Sequence, residues 1–171
     1  MVYISTIAAL YVVLTFISSV LGLAYSGIQL RLSEMLTILP VFSPIAIPGL
    51  AIGCFIANLA SPFGMVDIIF GSISTLIAAF LTRLLRKIKI KNIPIFAPLP
   101  PILFGSVSVS IIILSVSSNT FTPEMFAFLT LSVGLGQFIV CYLFGIPLFM
   151  VLNRLKLFDN LENIRKGVKK S

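Results

Sequence analysis

Arg31-Leu-Ser-Glu-Met-Leu-Thr-Ile-Leu-Pro-Val-Phe-Ser-Pro-Ile-Ala-Ile-Pro48 is the stretch on which the fold turns. It sets two charged side chains and three prolines inside a chain otherwise built for lipid. Its apolar run, Leu32 to Val41, is about half the ~20 residues that cross a hydrocarbon core. Counted as a crossing, it makes six spans; counted as a half-crossing element, it leaves five. Pro40, Pro44 and Pro48 end the run and turn the chain. Each lacks a backbone donor and biases its predecessor away from helix.

Outward from this stretch the pattern is simpler. A first apolar span covers about Tyr3 to Gly22, with no basic leader ahead of it and no clean cleavage site after it, so it is expected to stay as a helix. The polar connection Tyr25-Ser-Gly-Ile-Gln-Leu-Arg31 follows. After the prolines, a third span runs from about Ile45 to Leu59, and Ser61-Pro-Phe-Gly64 is a turn signal. A fourth, about Val66 to Leu85, ends among Arg83, Arg86, Lys87, Lys89 and Lys91. A fifth opens at Ala97-Pro-Leu-Pro-Pro101 and reaches about Ser117, and residues 118–123 are a loop. A sixth covers Glu124 to Leu152, long enough for a tilt or a kink at Pro147.

Composition agrees with this reading. The 171 residues are 58% hydrophobic and 10% charged, where a soluble domain carries about 25% charged residues. The expectation is an all-α integral membrane protein with six transmembrane helices over residues 1–153 and a basic cytoplasmic tail over 154–171. The net charge of +7 does not call for nucleic acid, because the basic residues cluster at segment ends, as the positive-inside rule has it. Both basic clusters then lie in the cytoplasm, with an even number of crossings between them. Both termini are inside, and residues 23–33, 61–65 and 118–123 are outside. Histidine is absent, and Cys54 and Cys141 fall in apolar runs. Zinc sites and histidine-based catalysis are therefore not expected, and the cysteines read as small buried packers.

Three charges remain inside the lipid-facing sequence: Arg31, Glu34 and Asp67. A charge at mid-bilayer costs about 2.5–3.5 kcal/mol on insertion scales, so such residues line an interior or a cavity and find partners there. Gln29 and Asn58 share their outer level by the topology above, and convergence from distant segments is what a cavity open to the outside looks like. Gln137, flanked by Gly134 and Gly136, is a further polar group in the sixth span. Blander readings stand beside this one. Arg31 and Glu34 at three-residue spacing can pair with each other. Asp67 can complement the dipole at the start of the fourth helix. Gln137 can make an interhelical hydrogen bond. Small residues recur four apart at Ser5 and Ala9, at Gly49, Gly53 and Ala57, and at Gly71, Thr75 and Ala79. Such ridges serve packing inside the bundle or, where they face outward, docking of another membrane protein.

The run Tyr25 to Glu34, Ile47-Pro-Gly-Leu-Ala-Ile-Gly53, Ala57-Asn58, Asp67-Ile-Ile-Phe-Gly-Ser72, Ala97-Pro-Leu-Pro-Pro101 and Gly134-Leu-Gly-Gln137 together resemble the QueT family. These are substrate-binding subunits, S components, of energy-coupling factor (ECF) transporters. The resemblance covers nearly the whole chain to about Leu152. Two positions depart from the family pattern: Gln137 stands where an acidic residue is common, and Gly105 where asparagine is often seen.

The resemblance implies a six-helix S-component-like bundle in the cell membrane with both termini in the cytoplasm. It would capture a deazaguanine precursor of queuosine from outside. It would dock through small residues of the first helix, here Ser5 and Ala9, onto a transmembrane T component coupled to two ABC ATPases. The chain itself would be no enzyme and hold no cofactor, ATP being used by the partner subunits. Gln29, Arg31, Glu34, Asn58, Asp67 and Gln137 are the candidate substrate-binding residues, with no metal. A carboxylate suits the adjacent N–H donors of a guanine-like edge, and Tyr25, Phe63 or Phe138 could stack on the ring. Alternatives are an S component for another vitamin or nucleobase, or a stand-alone carrier or channel. A secondary carrier usually shows internal repeats with interrupted helices, and none is visible. No phosphate-binding loop, HExxH or Gly-x-Ser-x-Gly motif points to an enzyme.

Overall fold

The structure, a computed structural model, describes residues 1–24, 29–116 and 122–155. Among these, six helical segments follow one another: Val2–Val20, Leu32–Val41, Ala46–Asn58, Gly64–Leu85, Leu99–Val116 and Pro123–Arg154. The first, fourth, fifth and sixth are long and apolar enough to cross a membrane, while the second and third are shorter apolar helices. Large apolar side chains such as Leu10, Val13 and Phe16 of the first helix, and Leu131 and Leu135 of the sixth, point outward. Exposure on this scale suits lipid as the solvent, not water. Nearly all of the expected tail, from residue 156 on, lies outside the described residues.

The doubtful second span is a 3₁₀-helix. At about 2.0 Å per residue, against 1.5 Å in an α-helix, its ten residues extend about 20 Å rather than 15 Å. Its contacts show where it runs. The Leu32 amide donates to Ser18 Oγ at 2.9 Å, Thr15 Oγ1 donates to Ser33 Oγ at 2.8 Å, and Tyr11 Oη donates to Glu34 Oε1 at 2.7 Å. As the second helix advances, the first is met in reverse order, so the two are antiparallel. At the far end Arg83 Nη1 donates to the carbonyls of Pro40 and Val41 at 2.9 and 2.8 Å. Arg83 thus satisfies helix-end carbonyls that lack intrahelical partners, besides adding to the basic cluster that orients the chain. The short segment reverses the chain direction, as a count of six requires.

The third helix returns alongside the first. A Cβ on Gly53 would lie 2.7 Å from Tyr11 Cβ, and one on Gly49 would lie 3.0 Å from Ile7 Cβ. This small-residue ridge is internal packing that lets two backbones approach closely. Gly71 and Ala79 of the fourth helix are buried as well, whereas Ser5 and Ala9 are exposed. The first helix therefore has two faces. Ile7, Ala8, Tyr11, Thr15 and Ser18 are buried in the bundle, and the Ser5–Ala9 ridge looks away from it.

The end of the bundle nearest the basic loop is tied by apolar packing. Ile38, Val41, Ala97 and Phe149 form a cluster, with Phe42 stacked on Phe149 at 4.8 Å between ring centres. Tyr142 Oη reaches the Ile95 carbonyl at 2.8 Å. The loop itself closes on Lys91 and Asn92, both at positive φ, between reciprocal Ile90–Ile93 backbone bonds. Two successive positive φ angles are the signature of a tight hairpin turn.

Candidate functional site

Asp67 opens a single π-helical turn, Asp67–Gly71, in the fourth helix. Such one-turn widenings recur at functional sites. Gly64, at φ +63°, makes the turn just before it. The Asp67 carboxylate is held on every side. Ser61 Oγ donates to Oδ2 at 2.5 Å, Asn58 Nδ2 approaches Oδ1 at 3.3 Å, and Arg31 Nη2 lies 3.6 Å from Oδ2. Asn58 is the link between the charges. Its Oδ1 accepts from Arg31 Nη2 at 2.9 Å, while its Nδ2 also donates to the Asp67 backbone carbonyl at 2.9 Å. Gly71 is glycine because a Cβ there would sit 2.7 Å from Asn58 Nδ2 and 2.8 Å from Asp67 Oδ1.

The pairing of Arg31 with Glu34 is therefore not the one that forms. Arg31 precedes the second helix in an extended conformation, φ −80° and ψ 106°. Its side chain meets the third and fourth helices instead of lying along its own. Nor does Asp67 serve only the helix dipole, since it carries the ion pair with Arg31.

Glu34 has a different environment. Tyr11 donates to Oε1, and among the described residues nothing donates to Oε2. Its backbone carbonyl accepts from Thr37 Oγ1 at 2.6 Å, with Cys141 Sγ at 3.7 Å. These contacts fix the residue, while one carboxylate oxygen is left for something else.

A cavity lies between these groups. Arg31 lines it from just before the second helix and Glu34 from within it, Asp67 and Gly71 from the fourth, Gly105 from the fifth and Gln137 from the sixth. It spans about 390 Å³ of interatomic space, counting the part open to solvent, but its free interior is only about 20 Å³. That is room for about one water molecule. A fused two-ring ligand needs the walls to part.

The family model for the QueT transporter matches residues 1–154. The chain belongs to the QueT transporter family. A curated protein of Lactococcus lactis subsp. cremoris (strain MG1363), named queuosine precursor transporter QueT, is 43% identical over 76 residues. The match covers 44% of this chain and 44% of that protein, so it spans less than half the length of the relative. No solved structure matches. Family membership and the apolar helices together make this a multi-pass protein of the cell membrane.

Seen as a QueT family member, the chain brings four of its six candidate residues onto one cavity: Arg31, Glu34, Asp67 and Gln137. Asn58 stands behind the wall and bridges two of them. Gln29 is buried but off the wall. Its backbone is wedged against Gly136, where a Cβ would collide with the Gln29 carbonyl. Of the suggested stacking rings, neither Phe138 nor Phe63 lines the cavity, Phe138 being half-exposed and packed on Tyr142 with ring centres 4.6 Å apart; Tyr25 lies outside the described residues. The first helix carries a contributor that the sequence reading passed over, Tyr11. Its signal was the polar stripe Tyr11, Thr15 and Ser18 at helical spacing, which marks an inward face. Gly105 and Gln137 lie against each other, since a Cβ on Gly105 would fall onto the Gln137 carboxamide.

Proposed function

We propose that the chain is the substrate-binding membrane subunit of an ECF-type importer and captures a deazaguanine precursor of queuosine from outside the cell. The observation that carries this reading is Glu34, a buried carboxylate on the cavity wall whose Oε2 has no donor among the described residues. A carboxylate accepts two parallel N–H bonds, the pattern a guanine-like edge presents. The name of the Lactococcus relative supplies the precursor class. The basic loop and the end of the sixth helix mark the cytoplasmic side by their positive charge, and Arg31 and Asp67 sit toward the opposite one. In this reading the chain is no enzyme and needs no cofactor. ATP is consumed by two ABC ATPases joined to a transmembrane T component, onto which the exposed Ser5–Ala9 ridge docks.

Titration of the purified protein with deazaguanine bases tests the substrate, with thiamin, riboflavin and guanine as controls. Saturable binding of a deazaguanine alone is the expected result. Tight binding of a vitamin with no response to any deazapurine rejects the substrate and leaves an S component of another specificity. The docking surface has its own test. Ser5→Leu with Ala9→Leu should abolish uptake in cells while the isolated subunit still binds ligand, and loss of both activities would place the ridge inside the bundle.

A further inference from the structure

Gln137 is 5% exposed, and its Oε1 has no hydrogen-bond partner among the described residues. A buried acceptor left unpaired costs free energy, and each such group in a native structure calls for an explanation. This one lies on the wall of the cavity, one helical turn before Cys141, whose sulfur touches the Glu34 carbonyl. The carboxamide can sit there only because residue 105 has no side chain. A Cβ on Gly105 would come within 2.7 Å of Oε1 and 2.9 Å of Cδ, and closer still to Nε2. The carboxamide, not a backbone carbonyl, is what such a Cβ meets, so any larger residue at 105 forces the Gln137 carboxamide to shift from this position.

The charges on the wall are unevenly committed. Arg31 and Asp67 face each other across 3.6 Å, and Asp67 is further held by Ser61 and Asn58. Among the described residues, Glu34 is the lining carboxylate that makes no hydrogen bond or ion pair within that arrangement, its side-chain hydrogen bond being with Tyr11. If Glu34 takes the N–H edge of the base, the described wall holds no second carboxylate free of an ion pair for a ligand cation. A buried ammonium without a counter-charge is strongly disfavoured. Gln137 offers one acceptor and one donor with no charge, the complement of a neutral polar group.

We propose that Gly105 and Gln137 act as one specificity element: the space left by Gly105 admits the Gln137 carboxamide to the cavity, its unpartnered oxygen accepts an N–H of the ligand base, and its lack of charge, where a carboxylate would pair with an ammonium, selects a neutral deazaguanine over a cationic one. This rests on the reading of the same cavity given under Proposed function.

The test compares the nitrile-bearing deazaguanine with its aminomethyl analogue, titrated against the purified full chain and three variants. The unaltered chain should bind the neutral base at least tenfold more tightly than the cation. Gln137→Glu should move that ratio toward the cation by tenfold or more. Gln137→Ala should weaken the neutral base about tenfold, and Gly105→Ala should do the same by displacing the carboxamide. Size-exclusion profiles identify misfolded variants, and the unaltered chain's own preference is measured whether or not the variants fold. A ratio unmoved in folded Gln137→Glu, or a preference of the unaltered chain for the cation, overturns this inference and leaves the deazaguanine reading standing. No binding of either base overturns both.

Discussion

Asp67 and Glu34 line the same cavity and are comparably buried, at 2% and 7% exposure, yet the protein treats them differently. Around Asp67, three side chains from three segments converge, and the Arg31 charge is answered within the bundle. Around Glu34, one phenol holds one oxygen, and among the described residues nothing donates to the other. A carboxylate whose partners are all protein serves the fold; one with spare acceptor capacity on a cavity wall is equipped for a ligand. In a chain with so few intramembrane charges, the partner set distinguishes the two carboxylates where residue type and burial do not.

Asp67→Ala leaves Arg31 without its carboxylate, and removing one partner of a buried pair costs about 3–5 kcal/mol. The expected outcome is a markedly lower thermal midpoint for the detergent-purified protein, and a midpoint equal to that of the unaltered chain would mean Asp67 is not structural. Asn58→Leu should come next. It strips an acceptor from Arg31 and a donor from the Asp67 backbone carbonyl, and buried groups left unpaired cost about 1–3 kcal/mol. Thermal melts will show whether this loss falls between the other two. Tyr11→Phe should be mildest, about 0.5–1.5 kcal/mol, because water from the cavity can replace part of the lost bond to Glu34. A Tyr11→Phe midpoint as low as that of Asp67→Ala would erase the distinction between the two corners.

Much of the fold was legible in the sequence because lipid imposes long apolar runs, and prolines and basic clusters mark their ends. The observed helices Val2–Val20, Gly64–Leu85 and Leu99–Val116 fall close to the expected spans. The 3₁₀ geometry of Leu32–Val41 was not legible. Hydropathy fixes that a segment is buried, not its rise per residue, and the choice depends on tertiary contacts such as Arg83 on the Pro40 and Val41 carbonyls. The site was legible as a set of polar residues but not as a wiring. Spacing suggested Arg31 with Glu34, while the extended backbone at Arg31 sends its side chain to Asn58 and Asp67. Small-residue ridges were equally visible at Ser5–Ala9 and Gly49–Gly53, but only packing distinguishes the exposed ridge from the one buried against Ile7 and Tyr11.

The central claim is that Glu34 belongs to the ligand. Glu34→Gln keeps the side chain's size and replaces an acceptor with a donor at the position facing the ligand's N–H edge. Titration of this variant with the deazaguanine that binds the unaltered chain, beside a thermal melt of the same preparation, tests the claim directly. Binding should weaken by about 1.5–3 kcal/mol, the range for a hydrogen bond to a charged group, with a midpoint close to that of the unaltered protein. Unchanged affinity together with a lowered midpoint would contradict the claim and make Glu34 a second structural carboxylate.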